Sequence, residues 1–241
     1  MKAINLLILI SLVTLSACKK DDDDNGDGGM MDMNYNPVLD TANFVDSVTN
    51  VYFPLKPGSV YKYKTNAEDG LEDNVVTVLD SVKVIMGINC TIVHDVVSIE
   101  DQVTEDTYDF YAQDLEGNVW YMGEDVSNYE NGVLQDKEGS FVAGTDGAKP
   151  GIIMFRSPVP QMPYRQEYSH GHAEDWGKMI AAHVSVSTTF GNFEQCIKTA
   201  DWNALEPDAP VEYKYYAPHV GLIKEEIEGT DEVTDLYYFS R

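Results

Sequence analysis

The chain has 241 residues, 43% of them hydrophobic, and a formal net charge of −25 from 41 acidic against 16 basic side chains. Hydrophobic content of that order supports one sizeable core and excludes a chain that stays disordered. The acidic balance excludes nucleic acid as a partner, repels an anionic membrane surface, and suits cations, cationic peptides or basic proteins.

Residues 1–17 come first. Lys2 gives a positive start, residues 6–13 an apolar run, and Ser16 and Ala17 two small residues ahead of Cys18. The run is too short to span a bilayer, which takes about 20 apolar residues, and reads as a signal segment removed from the mature protein. Leu15-Ser16-Ala17-Cys18 resembles the lipobox of bacterial lipoproteins. That resemblance implies cleavage before Cys18 and acylation of Cys18, a covalent lipid that anchors the mature protein to its membrane and stands in place of any cofactor. Lys19 and Lys20 followed by the aspartates 21–24 resemble the tether of Bacteroidota lipoproteins sent to the cell surface. The resemblance implies an outer-membrane protein facing outward. Residues 18–36 then read as the acylated cysteine and a flexible acidic tether, and residues 37–241 as a single β-rich domain.

Within that domain, residues 37–48 place Leu39, Phe44, Val45 and Val48 on one face of a short helix capped by Asp40 or Thr41. The prolines and glycine of residues 52–58 begin the folded body with a strand and a turn. Tyr61 and Tyr63 alternate with Lys62 and Lys64, which predicts a half-buried strand over 59–65. β-Branched and aromatic runs predict further strands at 75–79, 82–85, 90–99, 104–113 and 118–123, and a hairpin over 128–142 turning at Asn131-Gly132. Later strands are expected at 162–169, 184–189, 196–199, 211–216, 221–227 and 233–239. Residues 173–183 have helical spacing, with Trp176, Ile180 and His183 on one face. The sum is an all-β, mostly antiparallel fold with one or two short helices, arranged as a barrel, half-barrel or sandwich.

Two stretches, 87–121 and 191–226, run in parallel. Each has a glycine ahead of a cysteine, then a tyrosine-rich cluster ending Tyr-Ala or Tyr-Tyr-Ala, then a glycine before an apolar strand. They read as two copies of one β unit, with Cys90 and Cys196 at equivalent places.

The same region carries a family resemblance. Phe53-Pro54-Leu55-Lys56-Pro57-Gly58, Tyr111-Ala112-Gln113-Asp114 with Gly117-Asn118-Val119-Trp120-Tyr121, and Tyr215-Tyr216-Ala217-Pro218-His219-Val220-Gly221-Leu222 resemble exported Bacteroidota-type lipoproteins of unassigned activity. The resemblance covers most of residues 52–226 and implies no catalytic residue. In architecture alone, the strand content and lipid attachment also resemble periplasmic lipid-carrier half-barrels.

Candidate chemistry is sparse. His170 and His172, two apart on an extended strand, can turn both imidazoles to one metal ion, with Glu174 or Asp175 as a third ligand. Cys90 and Cys196 either form a disulfide or remain two buried thiols. Glu124 with Asp125, Asp106 with Asp109, and Glu206 with Asp208 are the acidic pairs a glycosidase would draw on. Residues 114–118 read as a turn between strands, lacking the closing glutamate of a calcium loop. Nucleophile-elbow and zinc-protease motifs are absent. The expected function is therefore a non-catalytic domain binding a protein or hydrophobic ligand, the alternatives being a lipid carrier and a hydrolase.

Overall fold

Alternating burial along almost every segment makes strands the only element that can bury this sequence. A computed structural model describes residues 35–67, 70–160 and 162–241. The signal segment, Cys18 and all of the tether before Tyr35 lie outside the described residues. In chain order the strands are β1 (Phe44–Val45), β2 (Val48–Thr49), β3 (Pro54–Leu55), β4 (Val60–Ala67), β5 (Gly70–Ile85), β6 (Ile88–Ile99), β7 (Gln102–Asp114), β8 (Val119–Glu130) and β9 (Val133–Asp136). There follow β10 (Phe141–Val142), β11 (Lys149–Met154), β12 (Pro163–Arg165), β13 (Glu167–Tyr168), β14 (Asp175–Ser187), β15 (Asn192–Asn203), β16 (Glu212–Ala217), β17 (Gly221–Ile227) and β18 (Val233–Ser240). All pairings are antiparallel. The expected all-β class is the observed one.

Sixteen strands form one sheet whose main path runs β12-β14-β15-β16-β17-β18-β4-β5-β6-β7-β8-β11-β13. Its two end strands, β12 and β13, are separated in sequence by Gln166 alone. Tyr164 pairs with Gly177 at one edge and Glu167 with Pro150 at the other, so residues 163–168 stitch the sheet into a nearly closed barrel. Closure removes the unpaired edges that an open sheet would expose.

Two glycines let the stitch approach. A Cβ on Gly151 would sit 2.2 Å from the backbone carbon of Gln166, and one on Gly177 would sit 2.6 Å from the Gln166 amide nitrogen. Gly151→Ala should therefore open the seam at a cost of about 1–3 kcal/mol, the usual penalty for overpacking. Urea unfolding should show the loss and hydrogen exchange should place it at residues 163–168. Gly191→Ala, where nothing lies within 4 Å of the new carbon, should leave both unchanged.

The expected helix over 173–183 is instead the first part of β14. Three register shifts against β15 each reset the alternation, and His183 takes a positive φ of 57°, so apolar residues there depart from a spacing of two. The helix expected over 37–48 shrinks to one 3-10 turn, Thr41–Asn43. Asp40 caps it as expected, its carboxylate accepting from the Ala42 backbone N–H at 3.0 Å. Pairing of Phe44 and Val45 with β7 then pulls the chain into strand. The runs 75–79 and 82–85 join as one strand, β5, interrupted by a bulge between Val78 and Val82. Asn131 and Gly132 make the expected hairpin turn between β8 and β9, with φ of 53° and 73°.

The internal repeat is visible in register. Thr91 pairs with Tyr111 and Tyr111 with Tyr121; Ile197 pairs with Tyr216 and Tyr216 with Leu222. A bulge precedes each tyrosine, between Phe110 and Tyr111 and between Tyr215 and Tyr216. The residues passed over, Met122 and Ile223, are both fully buried. Strands β6–β8 and β15–β17 are thus one three-stranded unit used twice, and Phe53 packs on both tyrosines, its ring 5.1 Å from Tyr111 and 6.3 Å from Tyr216.

Candidate functional site

The inward face of the barrel changes character along the strands. On β4 the buried positions are Tyr61, Tyr63 and Thr65, and on the later part of β6 they are Val93, Asp95 and Val97. Alternation carries Glu72 and Asn74 of β5, Glu105, Thr107 and Asp109 of β7, Glu124 of β8, Asp201 of β15, and Lys214 of β16 with Glu225 of β17 to the same interior. One part of the barrel is therefore filled by Tyr61, Val78, Val93, Ile223 and Leu236, and another by carboxyl groups.

Most of these carboxyls have one neutral donor. Asn74 donates to Asp95 at 2.8 Å, Thr107 to Glu105 at 2.8 Å, Tyr121 to Asp109 at 2.6 Å and Gln166 to Asp201 at 3.1 Å. Lys214 is the cation among them, with Nζ 3.4 Å from Glu212, 3.5 Å from Asp201 and 3.8 Å from Glu225. Oε1 of Glu72, Glu124 and Glu167 and Oδ1 of Asp201 and Asn74 have no hydrogen-bond partner. A buried carboxylate without compensation is costly, so protons are held instead. Burial, reinforced by neighbouring acids, pushes the Glu72 carboxyl to about 7, and burial takes Glu225 to about 8 against the opposing charge of Lys214. Burial likewise raises Glu105 to about 7 and Asp109 to about 6, and takes Asp95 and Glu124 well above the usual carboxylate range. For Lys214, burial lowers the affinity for its proton, but Glu212, Asp201 and Glu225 outweigh it and the ammonium is held firmly.

A cavity of about 120 Å³ lies inside the barrel between these carboxyls and a set of rings. Phe53, Tyr61, Tyr63, Tyr111 and Tyr216 form its aromatic walls, and Asp95, Asp109, Glu225 and Lys214 its polar side. The tyrosine hydroxyls of Tyr61 and Tyr63 are spent on backbone carbonyls, donating to Val220 and Leu222 at 3.0 Å each. Their rings, not their hydroxyls, are what remains for a ligand.

The sequence-expected site residues are dispersed. His170 and His172 lie in a turn closed by the Ser169–Ala173 bridge, not on an extended strand, so the two-apart argument fails. Glu174 is taken up by that turn, accepting from Gly171 N–H at 3.0 Å and lying 3.3 Å from His170, while its other oxygen faces buried Arg165 at 3.5 Å. Asp175 belongs with the interior acids, where burial raises it to about 7 and Lys214 opposes that rise. Among the described residues no group of three His, Cys, Asp or Glu side chains is placed to hold a metal ion. Cys90 and Cys196 are equivalent in the repeat but sit in separate core clusters as free buried thiols, so the disulfide alternative gives way to the thiol one.

Two of the acidic pairs separate because odd and even strand positions face opposite ways. Glu124 is inside, while Asp125 is outside with Lys137 at 2.6 Å; Asp109 is inside, while Asp106 is outside with His94 at 2.9 Å. Glu206 and Asp208 lie in the connection between β15 and β16. Asp114 makes the expected turn, accepting from Asn118 N–H at 2.8 Å and from the Trp120 indole at 2.9 Å.

No family model matches the chain, and no curated protein does. Among solved structures, a protein from Bacteroides fragilis described as exported and having a YmcC-like fold is 14% identical, with a TM-score of 0.47 over 80% of this chain and 100% of its own. A protein from Parabacteroides distasonis described as a lipoprotein is 15% identical, with a TM-score of 0.42 over 79% of this chain and 99% of its own.

Proposed function

We propose that the chain is a lipoprotein held at the outer membrane, facing outward, by acyl groups on Cys18, and that its β body is a non-catalytic binding domain. The observation that carries the binding half is the aromatic- and acid-lined cavity inside the barrel. At about 120 Å³ it falls well below the roughly 300 Å³ at which drug-sized ligand pockets begin, which counts against an acyl chain in this cavity. The same size leaves no room for a sugar between two carboxyls in this cavity, and two of the three acidic pairs that a glycosidase would use are split across the sheet. What fits is a small ligand or one small group of a larger partner.

The anchor is supported by the residues around Cys18. Cys18→Ser should move the protein from the membrane pellet to the soluble fraction and abolish labelling by radioactive palmitate. Protease added to intact cells should cut the wild-type protein; complete protection would place it on the inner side. For the cavity, a low-mass fraction of envelope extract should raise the melting temperature of the detergent-solubilised protein. Val93→Phe, whose ring fills the space, should not respond. No shift in either protein would remove the cavity as a ligand site.

A further inference from the structure

We propose that the cavity takes a small organic ammonium group, the cation that the first of the two repeated units lacks. This rests on the reading of the cavity as a ligand site and adds the chemistry of the ligand.

The register supplies the comparison. Cys90 and Cys196 correspond, as do Tyr111 and Tyr216, and through the paired strands Asp95 then corresponds to Asp201, Glu124 to Glu225, and Asp109 to Lys214. In the second unit the two acids have their own ammonium, Lys214, which contacts Asp201 and Glu225. In the first unit the matching acids, Asp95 and Glu124, have a third carboxyl where that ammonium would be. Asp95, Asp109 and Glu124 make no ion pair with a lysine or arginine among the described residues, although they are 6%, 4% and 2% exposed.

Unused acceptors stand behind the cavity wall, next to the residues that line it. Asn74, 5% exposed, gives its amide N–H to Asp95 at the cavity wall and leaves Oδ1 without a donor. Glu72 and Asp201, 1% and 4% exposed, each leave one oxygen unpaired, and both help to raise Glu225, which lines the cavity. Buried acceptors of this kind are satisfied in folded proteins by a donor, and carboxyls that hold protons while the cavity is empty can release them to pair with a donor that is also positive. The five rings narrow the class. Aromatic walls attract organic cations through their quadrupoles and offer nothing to a hydrated inorganic ion, which needs a shell of oxygens. A volume near 120 Å³ suits a single ammonium head, free or at the end of a longer molecule.

Isothermal calorimetry on the detergent-solubilised full-length protein tests this with methylammonium and tetramethylammonium chlorides, against sodium and calcium chlorides at matched ionic strength. Saturable binding of at least one organic ammonium is expected, weakened tenfold or more by Asp95→Asn. Asp109→Lys places an internal ammonium at the position Lys214 occupies in the other unit. It should abolish ammonium binding and raise the melting temperature of the unliganded protein. If that variant does not fold, Asp95→Asn decides alone. Binding of calcium only, or ammonium binding indifferent to Asp95→Asn, overturns the assignment. An extract that still shifts wild-type but not Val93→Phe, with no ammonium bound, would sink the ammonium and leave the cavity a ligand site; silence from both would sink both.

Discussion

Lys214→Met should destabilise the protein by about 3–5 kcal/mol at pH 8, the range seen when one partner of a buried ion pair is removed and the other is left behind. Asp201, Glu212 and Glu225 all lie within 3.8 Å of the ammonium, and Asp201 and Glu225 are themselves buried. Methionine keeps the length of the stem, so the change removes charge with little volume. A single domain is stable by about 5–15 kcal/mol, so a loss of this size is about a fifth or more of the total. The loss should be smaller at pH 5.5. There Glu225, whose carboxyl is raised to about 8, is already protonated and needs no counter-ion. Urea titrations at the two pH values check this. An equal loss at both would mean that packing of the lysine stem, and not its charge, holds the site.

How much of this was legible in the sequence differs between the fold and the site. Period-two alternation at Tyr61 and Tyr63, the β-branched runs and Asn131-Gly132 carried the strands, because local sterics and one-sided burial decide them. The repeat was legible for the same reason: cysteine, tyrosine and glycine sit at turns and bulges that both units need. β11 was missed because Pro150 and Gly151, unusual in strand interiors, are there for the seam. The first part of β14 was misread because bulges break the period on which the reading relies.

The site was hidden by a different habit. Acids read as solvated, and in a chain with 41 of them no single one stands out. Yet Asp95 shares parity with Val93 and Val97, and Lys214 shares it with Tyr216, so alternation alone put both on the buried face. Pairing adjacent acids was the wrong test, since neighbours on a strand point apart. The signal lay in a carboxylate occupying a place in an otherwise apolar series. The histidines drew the eye because of their type, while the lysine that the acids surround did not.

Thermal stability should be highest near pH 5 and fall as the pH rises toward 8, the reverse of ordinary acid denaturation. Glu72, Glu105 and Glu225 are raised from 4.5 to about 7, 7 and 8 in the folded protein, with burial the main cause. Between about pH 4.3, where an unfolded glutamate titrates, and those values, the folded state binds more protons than the unfolded one. Stability must then decrease with pH across that window. A tenfold difference in proton affinity between the two states corresponds to about 1.4 kcal/mol, so one such group costs on the order of 2–3 kcal/mol by pH 8. Glu72→Gln isolates the effect. The amide keeps the shape of the protonated acid and cannot ionise, and Glu72 is 1% exposed with one oxygen unpaired. The variant should match wild-type at pH 5 and melt roughly 4–12 °C higher at pH 8, given about 2–4 °C per kcal/mol for a domain of this size. Differential scanning calorimetry across the range reads both slopes. A wild-type melting temperature that climbs from pH 5 to 8, with Glu72→Gln no more stable at the upper end, would mean that the interior carboxyls are charged and matched by cations, and that the protein does not store protons in its barrel.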